Sequence, residues 1–547
     1  MHFIDWIVLI SVLLAIILYG IYKSKTTRDL DGYFLSNRSL PWFLVLMSIM
    51  GTQASAITFL TGPGQAYSDG MRFVQYYFGL PLAMIVISYV FVPVYTKLKV
   101  YTAYEFLENR FDLKTRSLTS FLFLLSRGLS TGVSIYAPSL ILSSIMGWNI
   151  YITNIIMGGV LIIYTMSGGA KAVAYTQVLQ MLIVFISLFI VGFIAVKLLP
   201  GNMGFSGAIK EATQLGKMNV ITSGRLPDGS FDWKDKYNIW SGIIGGFFLA
   251  LSYFGTDHSQ VGRYLTAKNG SESRKGLLMN GVVKIPMQFF ILLLGVLIFV
   301  VYLYKKAPVF FDETRMELAS ATKFGPQLKA IEGNYNVAIA DGNREAANMY
   351  REEYRTVLTQ ALPYSNGNDN NYIFLRFVKD NLPIGLIGLL FAVIFLAAWG
   401  SIAAALNSLA ACTMVDFHKK FFVKKDTNFH EYKVSQWYTF GWGVFCIAIA
   451  MFAHNIGNSL IETVNILGSI FYGVILGIFL VAFWIKWIKR NAVFVAALFS
   501  QVIIIIIYKM DIISFLWLNV IGALLVIILG IFLQVLFSAA KVKIRRE

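Results

Sequence analysis

Residues 48–67, SIMGTQASAITFLTGPGQAY, decide how this chain is read. The stretch is apolar enough to enter a bilayer, yet Gly51, Thr52, Gln53, Ser55 and Thr58 crowd its middle and Gly62, Pro63 and Gly64 follow. A helix that only had to be apolar would carry Leu and Ile there. Small residues also let helices pack closely, but Gln53 and the hydroxyls point beyond packing to a discontinuous helix. In such a helix the unwound carbonyls coordinate a cation and the freed donors meet a solute. The Gly-Pro-Gly triplet is expected to end the span.

The rest of the chain matches that context. A bilayer core takes about 20 apolar residues of helix, with every backbone polar group paired internally. About thirteen such stretches recur, at 2–23, 41–60, 73–95, 118–146, 148–167, 173–198, 239–256, 277–304, 383–412, 434–454, 460–486, 491–509 and 513–537. Cations fill alternate gaps. Lys23, Lys25, Arg28 and Arg38 follow the first span, Lys97, Lys99, Arg110, Lys114 and Arg116 the third, and Lys171 the fifth. Arg263, Lys268, Arg274 and Lys275 follow the seventh, Lys419, Lys420, Lys424, Lys425 and Lys433 the ninth. Lys486, Lys489 and Arg490 follow the eleventh, and Lys541, Lys543, Arg545 and Arg546 lie in the tail. The second gap has only Arg72, and the fourth is a bare turn at Gly147. The positive-inside rule then predicts a cytoplasmic C-terminus and an N-terminus outside, in an all-α, multi-pass protein of the cell membrane.

Composition agrees. The chain has 547 residues, 57% hydrophobic and 14% charged, and its mean hydropathy of +0.65 is too high for a soluble globule of this size. The net charge of +17 invites a nucleic-acid partner, but the cations flank spans instead of forming one patch. The expected partners are membrane lipid and a small solute, and the oligomeric state is not legible. Cys412 and Cys446 fall inside spans, and the five histidines are scattered. Without a Walker loop, nucleophile elbow or His/carboxylate cluster, neither ATP-driven transport nor an enzyme is expected. The first span lacks a small-residue cleavage signature and reads as an uncleaved helix.

The spans divide the chain into a first helix and cytoplasmic linker (1–40), a five-helix unit (41–198), an extracytoplasmic loop (199–238), a second five-helix unit (239–486) and two C-terminal helices with a basic tail (487–547). An extracytoplasmic insertion, 305–382, interrupts the second unit. Within it NREAANMYREEYRTVLTQAL (343–362) has helical spacing and mixed charge, and SNGNDNN ends it. It reads as a solvated helix over the protein's mouth, an inert insertion in preference to a lid or partner surface. The ninth span, FLAAWGSIAAALNSLAACTMVDF (395–417), answers the second with small residues, Ser401, Asn407, Ser408 and Thr413, closing at Asp416. Five-helix units that enter the membrane from opposite sides are what an inverted repeat requires.

Several segments carry a resemblance: DGYFLSNRSLPWF (31–43), SAITFLTGPGQAY (55–67), SGGAKAVAYTQVLQ (167–180), FGTDHSQVGRYLTAK (254–268) and LNSLAACTMVDF (406–417). In this order and topology the chain resembles the sodium:solute symporter family, and its iodide, vitamin and sialic-acid branches more than its sugar branch. The resemblance implies the leucine-transporter fold, a 5+5 inverted repeat with flanking helices, working by alternating access around a midplane site.

The resemblance also implies site residues. Na+, the co-transported ion, would be held by the carbonyls of Gly51, Ala54 and Ala397 and by side chains at positions 400 and 401. The family usually has two adjacent hydroxyls there; this chain has Gly400 and Ser401, so a water would complete the set. The auxiliary sodium site of some members needs an acid where Gln177 stands and hydroxyls where Gly400, Ala403 and Ala404 stand, and it is expected to be absent. An amide does not titrate near neutral pH, which also removes proton coupling through position 177.

By the same resemblance Gln53, Ser55, Thr58, Tyr76, Tyr77, Ser130, Tyr253, Lys284 and Asn465 face the central cavity, with Tyr253 at the inner gate. Tyr77 and Leu80 replace the acidic residue and its hydroxyl neighbour that grip sugars. Arg127 lies one turn from where the sialic-acid branch places its carboxylate-binding arginine. A cation at mid-membrane costs ~2.5–3.5 kcal/mol on insertion scales, so Arg127 and Lys284 should meet an anionic solute, pair with Asp257 or Glu462, or snorkel. The expected function is import of a small polar solute, an anion being one reading, coupled to Na+. The alternatives are a sodium-independent facilitator of the same fold and a membrane sensor. The sensor is disfavoured because the chain ends nine residues after Ser538 with no signalling domain.

Overall fold

The computed structural model describes residues 1–23, 29–201, 203–363, 367–422, 428–453 and 459–544. Lys25, Arg28, Lys424, Lys425, Arg545 and Arg546 of the cation pattern lie outside the described residues, as do Ser365 and Asn366 of the expected terminator.

The chain is helical almost throughout. The elements used below are α1 (Phe3–Lys23), α2 (Trp42–Gln53), α3 (Ala56–Asp69), α4 (Leu113–Met146), α5 (Ile150–Lys197), α6 (Gly246–Gly255), α7 (His258–Leu265) and α8 (Gly270–Tyr304). They continue with α9 (Gly325–Ala340), α10 (Arg344–Ala361), α11 (Asn370–Asn381), α12 (Leu386–Cys412), α13 (Asn428–Phe452), α14 (Leu460–Trp484), α15 (Arg490–Met510) and α16 (Phe515–Ile544). Among the described residues ten helices are long and apolar enough to cross a membrane, and three shorter apolar ones are Trp42–Gln53, Ile150–Met166 and Ser241–Gly255. Together they account for the thirteen expected stretches.

Three details differ from expectation. The second span breaks earlier than its Gly-Pro-Gly triplet. Gly, Thr and Ser are weak helix formers, and α2 stops at Gln53, with Ala54 at φ −83°, ψ 77° and Ser55 extended before α3 begins. The triplet lies inside α3, where it allows close contact: a Cβ on Gly64 would fall 1.9 Å from the Asn370 carbonyl oxygen, and one on Gly295 2.1 Å from that of Pro63. Spans five and six form one hydrogen-bonded run, α5, of 48 residues. Straight, it would extend roughly 72 Å and hold residues twelve apart about 18 Å from one another. Tyr164 and Thr176 nevertheless hydrogen-bond through their hydroxyls at 2.9 Å, and the Met166 carbonyl accepts from Gln436 Nε2 at 3.0 Å. The run therefore turns sharply between them. The third difference is the seventh span. The segment after α6 is a second break: Asp257 caps α7, accepting from the backbone N–H of Ser259. Both five-helix units thus begin with an interrupted helix.

The core lies where the units interlock. α5 packs on α12 and α2, α4 on α14 and α12, and the C-terminal pair α15 and α16 packs on α14. α1 is tied to the start of α12, where Asp5 Oδ1 accepts from the backbone N–H of Gly385 at 2.6 Å. The insertion has its own small core, including Phe310, Leu328, Tyr335 and Leu358. Its charged helix α10 packs against α9, and α11 is the element seated on the membrane core, against α3. The mixed charge of 343–362 was thus a poor guide to what touches the mouth. Asp369, fully buried, ties insertion to seat by accepting from Arg355 Nη2 at 2.7 Å and the Phe311 backbone N–H at 2.8 Å.

Candidate solute and sodium site

The break in the second span frees oxygen atoms. In an uninterrupted helix the N–H of Ser55 would bond the Gly51 carbonyl and that of Thr58 the Ala54 carbonyl. Here the Ser55 N–H turns to Gln53 O and the Thr58 N–H to Ser55 O, both at 3.0 Å. Gly51 and Ala54 are left with carbonyls that take no backbone donor. On α12, Ala397 and Ser401 are one turn apart and share a face. Ser401 Oγ donates to Ala398 O at 3.1 Å, which leaves its lone pairs free to accept or ligate.

Gln177 ties this region together. Its Oε1 accepts from Ser48 Oγ at 2.9 Å, and its Nε2 donates to Thr52 Oγ1 and to Gly400 O, each at 3.2 Å. One amide thus links α5 to both α2 and α12.

Beside the break lies a small cavity of about 80 Å³. Gln53, Ser55, Thr58, Tyr76, Tyr77, Arg127, Tyr253 and Asn465 line it, all expected from the sequence. Ile57, Leu249, Ile461, Val464 and Tyr472 complete the wall. Tyr472 had a signal: it follows Asn465 by seven residues, two turns, on the same face of α14. Ser130 and Lys284 are not brought to the wall. Ser130 Oγ bonds back to Ser126 O at 2.8 Å within α4, and Lys284 sits behind the Tyr77 ring, its Nζ 5.6 Å from the centroid. The Lys284 ammonium has no hydrogen-bond partner among the described residues.

Aromatic side chains close the cavity. Tyr76 Oη donates to Asn465 Oδ1 at 3.1 Å across the top, and Gln260 Nε2 donates to Tyr253 Oη at 2.7 Å. Small-molecule sites typically have about 300–1,000 Å³, so seating a solute requires these tyrosines to retreat. A larger, polar vestibule of about 650 Å³ lies one to three turns away along α3 and α14, bordered by Gln65, Asp69, Arg72, Lys236 and Glu462. Lys217 holds the C-terminal end of α3, donating to Tyr67 O at 2.9 Å and Ser68 O at 2.6 Å. Burial holds its ammonium below the ordinary lysine range, with Asp69 opposing the shift.

The base of the cavity resolves the choice of partner for Arg127. Its guanidinium pairs with Asp257, through Nε at 3.1 Å and through Nη2, and Nη2 also donates to Tyr472 Oη at 3.0 Å. Tyr472 Oη donates in turn to Asp257 Oδ2 at 2.7 Å, and the Tyr253 ring covers the guanidinium 5.3 Å away. Glu462 is occupied elsewhere, by Lys236 at 3.0 Å and Tyr237 Oη at 3.2 Å.

Comparisons with known proteins fit this arrangement. The profile described as "Sodium:solute symporter family" matches residues 33–322 and 346–500. The sodium/sialic acid symporter SiaT of Proteus mirabilis (strain HI4320) is 25% identical over 543 residues, covering 98% of this chain and 96% of that protein. A sodium-dependent multivitamin transporter of Oryctolagus cuniculus is 27% identical over 472 residues, covering 85% of this chain and 63% of that one. Among solved structures, a substrate-bound, outward-open Na+-coupled sialic acid symporter superimposes with a TM-score of 0.77 at 24% identity, over 98% of both chains, and shares the fold.

Proposed function

The chain belongs to the sodium:solute symporter family, whose co-transported ion is sodium, and we propose that it imports a small polar solute with Na+ by alternating access, its N-terminus outside and its C-terminus in the cytoplasm. The observation that carries this reading is the convergence of eight expected side chains on one cavity at the break between α2 and α3. Na+ would bridge α2 and α12 through Gly51, Ala54, Ala397 and Ser401. Bridging would favour the form in which the vestibule is open, because an ion shifts an equilibrium only by its differential affinity for the two states. The solute would bind against Gln53, Ser55, Thr58 and Asn465 once Tyr76 and Tyr77 retreat, and leave inward when Tyr253 releases Gln260.

The charge balance favours an uncharged or zwitterionic solute. Arg127, which lines the cavity, is already paired with the buried Asp257, so its charge is met before a solute arrives. An anion would have to draw Arg127 away from a carboxylate that is 1% exposed.

Reconstituted vesicles test the reading. A sodium gradient should drive solute above equilibrium. A facilitator would only equilibrate it whatever the gradient, and a sensor would show no flux. Candidate solutes come from a thermal-shift screen of purified protein against sugars, sugar acids, monocarboxylates, amino acids and vitamins, with and without Na+.

A further inference from the structure

The sodium reading leaves a gap at Gly400, and a side chain from another helix reaches into it. A Cβ placed on Gly400 would fall 2.6 Å from Gln180 Oε1. The amide oxygen therefore occupies space beside the position that a side chain at 400 would take. Gln180 is 4% exposed, and among the described residues its amide takes no hydrogen bond. With no donor from the described residues on it, the amide oxygen keeps both lone pairs for a further partner. Its neighbour three residues earlier, Gln177, is already held in place, its oxygen accepting from Ser48 and its nitrogen donating to Thr52 and to Gly400 O, whereas Gln180 has no such engagement.

We infer that Gln180 supplies the sodium site's fifth oxygen from α5, in place of the hydroxyl that Gly400 lacks. The inference rests on the symport reading above and makes its ion site specific to this chain. Na+ is a hard cation that takes carbonyl and hydroxyl oxygens. The set becomes three main-chain carbonyls, the Ser401 hydroxyl and one amide oxygen, with no acid, which keeps the bound site at a single positive charge. It also gives glycine at 400 a role: a side chain there would push the amide oxygen aside, so Gly400 leaves Gln180 its room. The ion then ties α5 as well as α12 to the broken second span.

The test is a residue swap read by sodium binding to the purified full chain, as the Na+ concentration that half-maximally raises its melting temperature, with choline as control. Removing even an indirect support of a metal costs about 10–100-fold in affinity, so Gln180→Ala should raise that concentration at least about tenfold. Gln180→Met, which keeps the volume without the oxygen, should do the same, and Gln180→Glu should keep the response. Adding Gly400→Ser to Gln180→Ala supplies a hydroxyl in the vacated space and should return the response to within about threefold of the parent. A parent that responds to Na+ while Gln180→Met leaves the half-saturation unchanged overturns the assignment and leaves symport standing. A double variant no better than Gln180→Ala also overturns it. A parent blind to Na+ refutes the symport reading and this inference together.

Discussion

Neutralising Arg127 should destabilise the protein, and neutralising Asp257 with it should repair most of the damage. The carboxylate of Asp257, 1% exposed, accepts from Arg127 Nε, Arg127 Nη2, Tyr472 Oη, Ser259 N–H and Ser259 Oγ. Arg127→Gln removes the two charged donors and strands an anion beside an apolar helix interface. Asp257→Asn strands the guanidinium, which is 9% exposed, with only Tyr472 and the Tyr253 ring. Breaking a buried pair from one side costs about 3–5 kcal/mol, whereas replacing both charges is often close to neutral. The double variant should therefore lie within about 1 kcal/mol of the parent, giving a coupling energy of at least about 2 kcal/mol in a double-mutant cycle. The assay is thermal unfolding of detergent-solubilised protein, followed by fluorescence-detected gel filtration, alongside uptake in vesicles. A single variant as stable as the parent, or a double no better than its worse single, would refute the buried pair as the reason Arg127 is tolerated. If Arg127→Gln stays folded and loses all uptake, Arg127 holds an anionic solute after all, and the neutral-solute proposal fails.

Other outcomes follow from the same geometry. Ser401→Ala should abolish sodium-driven accumulation while expression and gel-filtration profile stay normal, since Oγ makes only a local bond to Ala398 O; sodium dependence retained in that variant would remove it from the ion site. Gly64→Ala should destabilise by about 1–3 kcal/mol through overpacking, because its Cβ would meet the backbone oxygen of Asn370 at 1.9 Å; an unchanged melting temperature would mean that α11 does not seat on α3. Cysteines at Glu345 and Lys268, both exposed and separated by α8, should label from opposite faces of intact cells, position 345 from outside. Labelling from one face would break the span count. Tyr76→Phe removes the bond to Asn465 and should speed solute entry without changing the sodium half-saturation; slower entry would argue that the bond binds solute instead of closing the cavity.

Much of the architecture was legible because hydropathy and cation placement are additive along the chain. The thirteen stretches needed no long-range information. What stayed hidden depends on where one segment meets another. The Gly-Pro-Gly triplet looked like an ending, but its small residues serve the backbone of Asn370 some 300 positions away. The joint in α5 keeps its helical hydrogen bonding and shows only in the Tyr164–Thr176 contact. The site followed the same division. Residues placed by the family pattern on α3, α14 and the segment between α3 and α4 converge, while Ser130 turns its hydroxyl back to its own helix and Lys284 lies against the Tyr77 ring. The sequence raised Asp257 and Glu462 as alternative partners for buried cations, and only three-dimensional proximity gives Asp257 to Arg127. Gln180 reaches its place through a long side chain from another helix, which no local pattern reports.

The Arg127–Asp257 pair also sets an order of events at birth. The two residues are 130 positions apart, and synthesis proceeds at about 5–20 residues per second, so roughly 7–26 s pass between their emergence. During that interval α4 enters the bilayer with an arginine whose counter-charge has not been made. Held there alone it costs ~2.5–3.5 kcal/mol, so the helix must wait shallow, tilted or chaperoned until the opening helix of the second unit arrives. The cavity is therefore assembled late, and a chain halted before residue 257 should leave α4 poorly inserted and exposed to membrane quality control.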